Sequence, residues 1–296
     1  MKLVSYYLDG MLRVGALIGN GCNDRVIDLN LANPFLPPDM LTLLRMGDAT
    51  LSQVRDVLAE PQNHMSIPLS EVRLGPPISN PSKIICLGLN YQDHSPKSDP
   101  STPVFPTIFA KYANCIVGPG DPIIIPSVSD QVDYEAELAV VIGKRGKDIP
   151  LDQAIHHIAG YTCFNDVSAR DYQSRTSQWL QGKTFDTFGP MGPALVTSDE
   201  ISDPGTLEIS LALNGQTMQH SNTSHLIFSI PQIIVYLSQI MTLEVGDVLS
   251  TGTPGGVGAL RNPPVFLKAG DQVEVRIEGV GILYNPVSVE SLQKNR

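Results

Sequence analysis

The sequence predicts an α+β protein that is mostly β and carries a few helices. The segment Leu207-Glu-Ile-Ser-Leu-Ala-Leu213 alternates apolar and polar residues, which is the period of a half-buried strand. The dipeptides Asp9-Gly10 and Asn214-Gly215 each follow a strand-like run and are strong signals for a two-residue hairpin turn. Helical spacing of apolar residues is confined to short segments such as 230–241. Periodicity alone therefore indicates a strand-rich protein and does not identify its topology.

Residues 1–75 are predicted to form a small N-terminal α/β module. Its elements, in order, are strands at 3–8 and 12–18 and helices at 39–46 and 49–58. The proline-bearing stretch 61–81 is typical of a linker, so the second and larger domain is placed at 76–296. The module holds no cluster of chemically useful residues, and we interpret it as a packing or dimerisation element.

The larger domain is predicted to be rich in strands. Its expected elements are strands at 84–87, 133–142, 161–166, 207–213, 247–251 and 272–282, and helices at 151–160 and 230–241. Gly160 is a common type of helix end, and Pro231 falls in a first helical turn, where the missing N–H costs little.

Composition limits the classes of function. The chain has 296 residues, 42% of them apolar, which suffices for a substantial core in a soluble globular protein. A formal charge of −10 argues against nucleic acid or an anionic membrane as a partner, so an anionic substrate would need a locally positive pocket. The start of the chain lacks a signal or transit pattern, and no segment is apolar for long enough to span a membrane. Four scattered cysteines are typical of reduced thiols, so we predict a cytoplasmic protein.

Glu135 and Glu137 are the most informative residues of the chain. They lie two positions apart in the strand-like run 133–142, so both side chains should point to one face, roughly 7 Å apart at their Cα atoms. Like charges side by side destabilise a sheet, and a hard divalent cation with oxygen ligands would neutralise them. The alternative is that they form the solvent-facing acidic edge of a strand.

Asp166 offers a third carboxylate. It ends the strand-like run 161–166, and the helix predicted at 151–160 could return the chain beside the strand that carries the two glutamates. Glu135, Glu137 and Asp166 would then form a site for Mg²⁺, with Mn²⁺ or Ca²⁺ as alternatives, because these cations prefer oxygen ligands.

Six motifs, in register along the chain, resemble the fumarylacetoacetate hydrolase superfamily. They are Gly88-Leu-Asn-Tyr-Gln-Asp-His94, Val117-Gly-Pro-Gly-Asp121, Asp133-Tyr-Glu-Ala-Glu-Leu138, Asn165-Asp-Val-Ser-Ala-Arg-Asp171, Gly182-Lys-Thr-Phe-Asp-Thr187 and Thr251-Gly-Thr-Pro-Gly-Gly-Val-Gly258. The resemblance spans about residues 83–287 and implies a mixed β-sheet roll in a homodimer. The superfamily includes acylpyruvate hydrolases and oxaloacetate decarboxylases and tautomerases, so the resemblance implies a small anionic 2-oxo acid as substrate without identifying it.

The resemblance also implies roles for individual residues. His94 matches a general base that acts on a water molecule, and Lys183 matches a lysine that steadies negative charge in the metal site. Gln173 matches a position that contacts the substrate, and Thr253 matches one that binds its carboxylate or keto oxygen.

One position departs from the pattern of the superfamily. Related enzymes place a glutamate three residues after this histidine, on a lid, where this chain has Lys97. Asp99 and Asp93 are the nearest acids that could replace it. Without such an acid, activation of water by a histidine–acid pair is weakened, which favours proton transfer or decarboxylation over hydrolysis.

The predicted function is metal-dependent turnover of a 2-oxo or 2,4-dioxo acid through an enolate that the metal stabilises. The main interpretation is hydrolysis of a C–C bond in an acylpyruvate, with His94 deprotonating the attacking water. The first alternative is an oxaloacetate tautomerase or decarboxylase, which shares the enolate. The second alternative is of another class: a folded member without catalysis that serves as a binding or scaffold protein.

Overall fold

The computed structural model describes residues 1–19, 23–63, 65–93 and 103–290. The strands in this part of the chain are β1 Lys2–Leu8, β2 Met11–Ile18, β3 Arg25–Asp28, β4 Ser66–Pro68, β5 Arg73–Gly75, β6 Ile84–Gly88, β7 Thr107–Lys111, β8 Ile116–Val117, β9 Ile123–Ile125, β10 Val132–Asp133, β11 Ala136–Ile142, β12 Ile158–Asn165, β13 Ser168–Ala169, β14 Gly189–Thr197, β15 Glu208–Leu213, β16 Gln216–Asn222, β17 Val248–Ser250, β18 Gln272–Ile277 and β19 Gly281–Val289. The α-helices are α1 Leu29–Ala32, α2 Met40–Arg45, α3 Asp48–Ala59, α4 Arg170–Gln173, α5 Leu180–Lys183 and α6 Ile230–Ile240. Segments of 3₁₀-helix lie at Pro61–Asn63, Leu69–Glu71, Ala113–Cys115, Leu151–His157, Ser198–Glu200, Thr223–His225 and Gly258–Leu260.

The strands form two large sheets. The larger has the order β4-β3-β2-β1-β14-β12-β11-β17-β6-β7, with β5 paired to β1 and β8 paired to β14. The smaller has the order β16-β15-β18-β19-β9, and β10 and β13 form a separate pair. Most neighbours are antiparallel, whereas the pairs β17–β6, β14–β8 and β19–β9 are parallel. The predicted α+β class, mostly β with mixed sheets, is confirmed.

Both predicted hairpin turns are present. Asp9 and Gly10, between β1 and β2, have φ angles of 50° and 77°, and Asn214 and Gly215, between β15 and β16, have 53° and 79°. Positive φ at both central residues is the backbone of the type I′ turn, whose twist matches that of the strands it joins. These dipeptides therefore set the register of two strand pairs by local conformation alone.

The N-terminal segment joins the rest of the molecule through the large sheet. Strand β1 pairs with β14, with Leu3 opposite Leu195. Strands β4 and β5 lie in the stretch predicted as a linker and pair with β3 and β1. The linker prediction is wrong, because a proline is tolerated at the end of an edge strand such as β4, where Pro68 lies. A domain boundary at residue 75 stays a prediction.

Helices α2, α3 and α6 lie where the sequence predicts them. Asp39 caps α2, because its carboxylate accepts the Thr42 N–H at 2.9 Å. Ser229 and Gln232 form a capping box at the start of α6. Among the residues that the structure describes, no helix has the length and apolar character needed to cross a bilayer.

The strand expected at 133–142 is divided between β10, which ends at Asp133, and β11, which begins at Ala136, and two further segments differ from the prediction. The helix expected at 151–160 is a 3₁₀-helix that ends at His157, whose carbonyl accepts the Gly143 N–H and leads directly into β12. The strand expected at 272–282 is two strands, β18 and β19, joined by a turn in which Gly279 has a φ of 72°. In both segments the pattern of apolar residues continues where the backbone conformation changes, so the pattern does not reveal the change.

Strands β11 and β12 lie at the centre of the large sheet, and every residue of both is buried. They pair with each other in antiparallel register, and their outer neighbours are β17 and β14. Glu137 therefore lies in a fully buried strand, and Glu135 and Asp166 lie directly beside the ends of these two strands.

Candidate metal centre

The register of β11 and β12 brings the three acids together. Ala136 lies opposite Asn165, so Glu135 and Asp166 leave the strand ends side by side, and the Asp166 N–H donates to the Glu135 carbonyl at 2.9 Å. Glu137 lies one residue inside β11, whereas Glu135 precedes the strand. The prediction that the chain returns Asp166 beside the glutamates is confirmed, through an antiparallel pair.

The three carboxylates fit a shared divalent cation. One oxygen from each of Glu135, Glu137 and Asp166 lies within 4.8 Å of the other two. Their relative exposures are 6%, 1% and 0%, which excludes the alternative of a solvent-facing acidic edge. An all-oxygen donor set of this kind suits Mg²⁺, Mn²⁺ or Ca²⁺ better than softer metals.

Two lysines and an arginine balance part of this negative charge. The Lys183 ammonium donates to Glu135 at 2.7 Å and to Asp166 at 2.8 Å. The Lys111 ammonium donates to the other oxygen of Asp166 at 2.6 Å. Arg170 is shared between Glu135 and Asp133, at 2.6 Å from each. The three acids therefore face two lysines and an already shared guanidinium, which leaves net negative charge for a cation.

Glu137 carries most of the unbalanced charge. Its carboxylate accepts the Ser250 hydroxyl at 2.5 Å and the Gly252 N–H at 2.9 Å, and both donors are uncharged. Burial, followed by the charges of Asp166 and Glu135, raises the pKa of Glu137 well above its ordinary value. A cation bound here would favour the ionised carboxylate, so the electrostatics fit a metal site.

Lys183 remains a cation in this environment. Burial lowers its pKa, but the carboxylates of Asp166 and Glu135 outweigh burial, so the pKa of Lys183 lies above its ordinary value. Its ammonium also lies 5.0 Å from the centroid of the Phe109 ring. Lys183 can therefore donate hydrogen bonds and offset negative charge, and it is not a base at neutral pH.

Sequence reasoning missed Lys111 and the ion pairs of Arg170. Lys111 ends β7, is completely buried, and lies 55 positions before its partner Asp166. In the sequence it appears only as a lysine at the end of a strand-like run, and an exposed lysine would produce the same pattern. Arg170 contacts Asp133 and Glu135, which lie 37 and 35 positions before it.

The two candidate substrate residues flank the acids. Thr253 follows Gly252, whose N–H binds Glu137 and whose φ is 101°. A side chain at Gly252 would lie 2.9 Å from the Asn90 Cβ, so only glycine fits there. Gln173 ends α4, and its side-chain oxygen accepts a hydrogen bond from Arg170 at 2.9 Å.

The predicted general base His94, together with Lys97 and Asp99, lies outside the described residues. Asp93, the other acid considered for the lid, is described, and its carboxylate accepts the Ser221 hydroxyl at 2.7 Å. The roles of these residues therefore stay predictions.

Comparison with known proteins gives strong matches over most of the chain. The family model described as "Fumarylacetoacetate (FAA) hydrolase C-terminal" matches residues 83–288. "Oxaloacetate tautomerase FAHD2A, mitochondrial" from Bos taurus is 48% identical over 291 residues, covering 97% of this chain and 91% of the relative. "Oxaloacetate tautomerase fahd2, mitochondrial" from Xenopus laevis is 50% identical over 277 residues, covering 93% and 86%.

Solved structures match over the same length. A fumarylacetoacetate hydrolase from Exiguobacterium antarcticum is 35% identical with a TM-score of 0.84, covering 98% of this chain and 100% of the other. A maleylpyruvate hydrolase from Sphingobium sp. SYK-6, solved with a manganese(II) ion and pyruvate, is 31% identical with a TM-score of 0.80 and the same coverage.

These matches change two predictions. The predicted cytoplasmic location is contradicted, because relatives 46–50% identical are named as mitochondrial proteins. Scattered cysteines are typical of reduced thiols, but they do not distinguish the cytoplasm from other reducing compartments. Acylpyruvate hydrolysis, the main interpretation of the sequence, is less well supported than its first alternative, because the same relatives are named as oxaloacetate tautomerases.

Proposed function

The chain belongs to the fumarylacetoacetate hydrolase family, and from this premise we propose that it is a divalent-metal-dependent oxaloacetate tautomerase. The observation that carries the proposal is the buried triad of Glu135, Glu137 and Asp166, in a chain about half identical to proteins named for that activity. Lys111 and Lys183 offset part of the negative charge of the triad, and a bound divalent cation would supply the positive charge that an anionic substrate needs inside an acidic protein.

Tautomerisation moves one proton from C3 of the 2-oxo acid and places one on the C2 oxygen, so negative charge develops on that oxygen between the two steps. A divalent cation held by Glu135, Glu137 and Asp166 would supply Lewis acidity toward the substrate's oxygens. Lys183 holds Glu135 and Asp166 in place, and its positive charge stabilises negative charge that develops nearby.

We assign the proton transfer at C3 to His94, whose ordinary pKa suits a general base near neutral pH. Thr253 and Gln173 are proposed to contact the substrate from either side of the acids. We also retain the homodimer that the resemblance implies.

Hydrolysis of an acylpyruvate is the second candidate. It is favoured by the similarity to a maleylpyruvate hydrolase that was solved with manganese and pyruvate. The two candidates differ in one requirement: hydrolysis needs an activated water and breaks a C–C bond, whereas tautomerisation needs proton transfer alone.

The test is to follow the enol absorbance of oxaloacetate and the release of pyruvate in one reaction, with the protein stripped of metal and then loaded with Mg²⁺ or Mn²⁺. We expect metal-dependent enol–keto conversion above the solvent rate, without pyruvate. Acetylpyruvate in a parallel reaction would yield pyruvate if the protein is a hydrolase.

Glu135→Ala should abolish the conversion, and Glu274→Ala is the matched control, because Glu274 is a strand glutamate that pairs with Arg276 on the surface. An enol–keto rate that stays at the solvent value with loaded protein would refute the proposal. Turnover of any of these acids would reject the scaffold alternative.

A further inference from the structure

Gln219 connects the acidic segment to the predicted substrate-binding threonine. It lies in β16, at the edge of the smaller sheet, and is 1% exposed. Its side-chain oxygen accepts, at 2.9 Å, the N–H of Ala136, the residue between Glu135 and Glu137. Its side-chain nitrogen donates to the Thr253 hydroxyl oxygen and to the Pro254 carbonyl, each at 2.9 Å.

The orientation of this amide is determined by its partners. The Ala136 backbone N–H can only donate, so the Gln219 atom that faces it must be the oxygen. The Pro254 carbonyl can only accept, so the atom that faces it must be the nitrogen. Two independent backbone groups therefore exclude the flipped amide.

The amide orientation also determines the direction of the Thr253 hydroxyl. Because the Gln219 nitrogen has no lone pair to offer, the Thr253 oxygen must be the acceptor in that hydrogen bond. Within the described part of the chain, this is the hydroxyl's one hydrogen bond, so its own proton remains to be donated. A hydroxyl held in this way can donate its proton to an oxygen atom of a bound ligand.

We propose that Gln219 is a positioning residue that makes Thr253 a hydrogen-bond donor to a carboxylate or keto oxygen of the substrate. The inference rests on the proposed function, because that proposal makes Thr253 a substrate contact. It adds a reason for orientation: the hydroxyl proton of Thr253 is kept available for a substrate oxygen.

The experiment measures the binding of oxalate, a dianion with the adjacent oxygens of a 2-oxo acid, to the Mn²⁺-loaded protein by calorimetry. Gln219→Glu keeps an acceptor for the Ala136 N–H but loses both donors, so the Thr253 proton turns toward residue 219. We expect oxalate affinity to fall by about 10- to 100-fold, the range for a hydrogen bond to a charged group.

The same substitution made in a Thr253→Val background separates this role from a structural one. Repulsion by the added charge, or a general loosening of the loop, would weaken oxalate binding equally in both backgrounds. The proposal requires that the loss of oxalate affinity caused by Q219E be at least about tenfold smaller in the Thr253→Val background than in the wild-type background. If Q219E does not fold, Gln219→Met is compared in the same two backgrounds: it removes both donors and also the acceptor for the Ala136 N–H, so only the difference between the backgrounds bears on the proposal.

Three results would overturn the inference: oxalate affinity unchanged by Q219E, an equal loss in both backgrounds, or loss of Mn²⁺ affinity together with oxalate affinity. The last would mean that Gln219 acts through the carboxylates. Failure of the proposed function is a distinct outcome, in which the wild-type protein shows the Gln219–Thr253 coupling toward oxalate but does not convert oxaloacetate.

Discussion

Glu137 and Glu135 should respond to neutralisation with opposite signs, although both are proposed metal ligands. The described donors to Glu137 are the uncharged Ser250 hydroxyl and Gly252 N–H, and burial and neighbouring acids raise its pKa. Glu135 instead receives hydrogen bonds from the charged side chains of Lys183 and Arg170. In the metal-free protein, an ionised Glu137 therefore destabilises the fold, whereas an ionised Glu135 stabilises it.

The sign follows from linkage. A carboxyl whose pKa is raised on folding reduces stability at every pH above its unfolded value of about 4.3, and the cost grows until the pH reaches the folded pKa. Glu137→Gln removes that cost at neutral pH. Its carbonyl oxygen can still accept from Ser250 and Gly252, and its NH₂ group can donate to the neighbouring acids.

The magnitude can be estimated from buried charge clusters. Replacing buried charges by neutral groups of similar size commonly raises the free energy of unfolding by up to about 1–4 kcal/mol. In a protein of this size class, each kcal/mol raises Tm by roughly 2–4 °C. Removing one partner of a buried ion pair costs about 3–5 kcal/mol, so Glu135→Gln should lower Tm. Saturating metal should add about 2.7 kcal/mol to the wild type at 100 times Kd and nothing to either variant.

The assay is thermal unfolding of stripped protein, followed by circular dichroism, with and without Mn²⁺. The expected result is a metal-free Tm for E137Q at or above the wild-type value, a lower Tm for E135Q, and no Mn²⁺ shift in either. A lowered Tm for E137Q with its Mn²⁺ shift intact would refute the reasoning, because Glu137 would then be a structural acid.

Three further predictions concern other charged groups. Lys111→Met removes one of the two buried lysines that pair with Asp166 and should lower the free energy of unfolding in urea by about 3–5 kcal/mol. Burial raises the pKa of Asp28, but hydrogen bonds from Arg13 and a tyrosine outweigh burial and hold this pKa below its ordinary value. The ionised Asp28 therefore stabilises the fold fully above about pH 4, and this stabilisation is lost as the pH falls through the folded pKa. Asp28→Asn should therefore reduce the fall in Tm as the pH is lowered below about 4. An unchanged fall would contradict a stabilising ion pair between Asp28 and Arg13. Lys97→Glu should raise acetylpyruvate hydrolysis, measured as pyruvate release, if the missing lid acid limits that reaction.

The matched control for Lys111→Met is Arg145→Met. Arg145 also pairs with an acid, Glu244, but both side chains are largely exposed, and exposed pairs contribute little. A loss of stability as large in R145M as in K111M would show that removing any paired cation has this effect, independent of burial.

The sequence by itself determined the features that depend on neighbouring residues. Asp9-Gly10 and Asn214-Gly215 specify hairpin turns because their backbones tolerate positive φ. The start of α6 follows from a capping box and a proline in the first turn. The triad was also predictable, since two acids two positions apart share one strand face and the third follows the next strand.

The tertiary structure alone decided which distant groups meet. Lys111 reaches Asp166 from 55 positions away, and Gln219 reaches Ala136 from 83 positions away. Neither residue belongs to a local pattern, because a buried lysine and a surface lysine look alike until the sheet places an acid beside one of them. The same long-range contacts determine that the Thr253 hydroxyl accepts from Gln219. The orientation of the side chains in the site therefore depends on how the two sheets pack together.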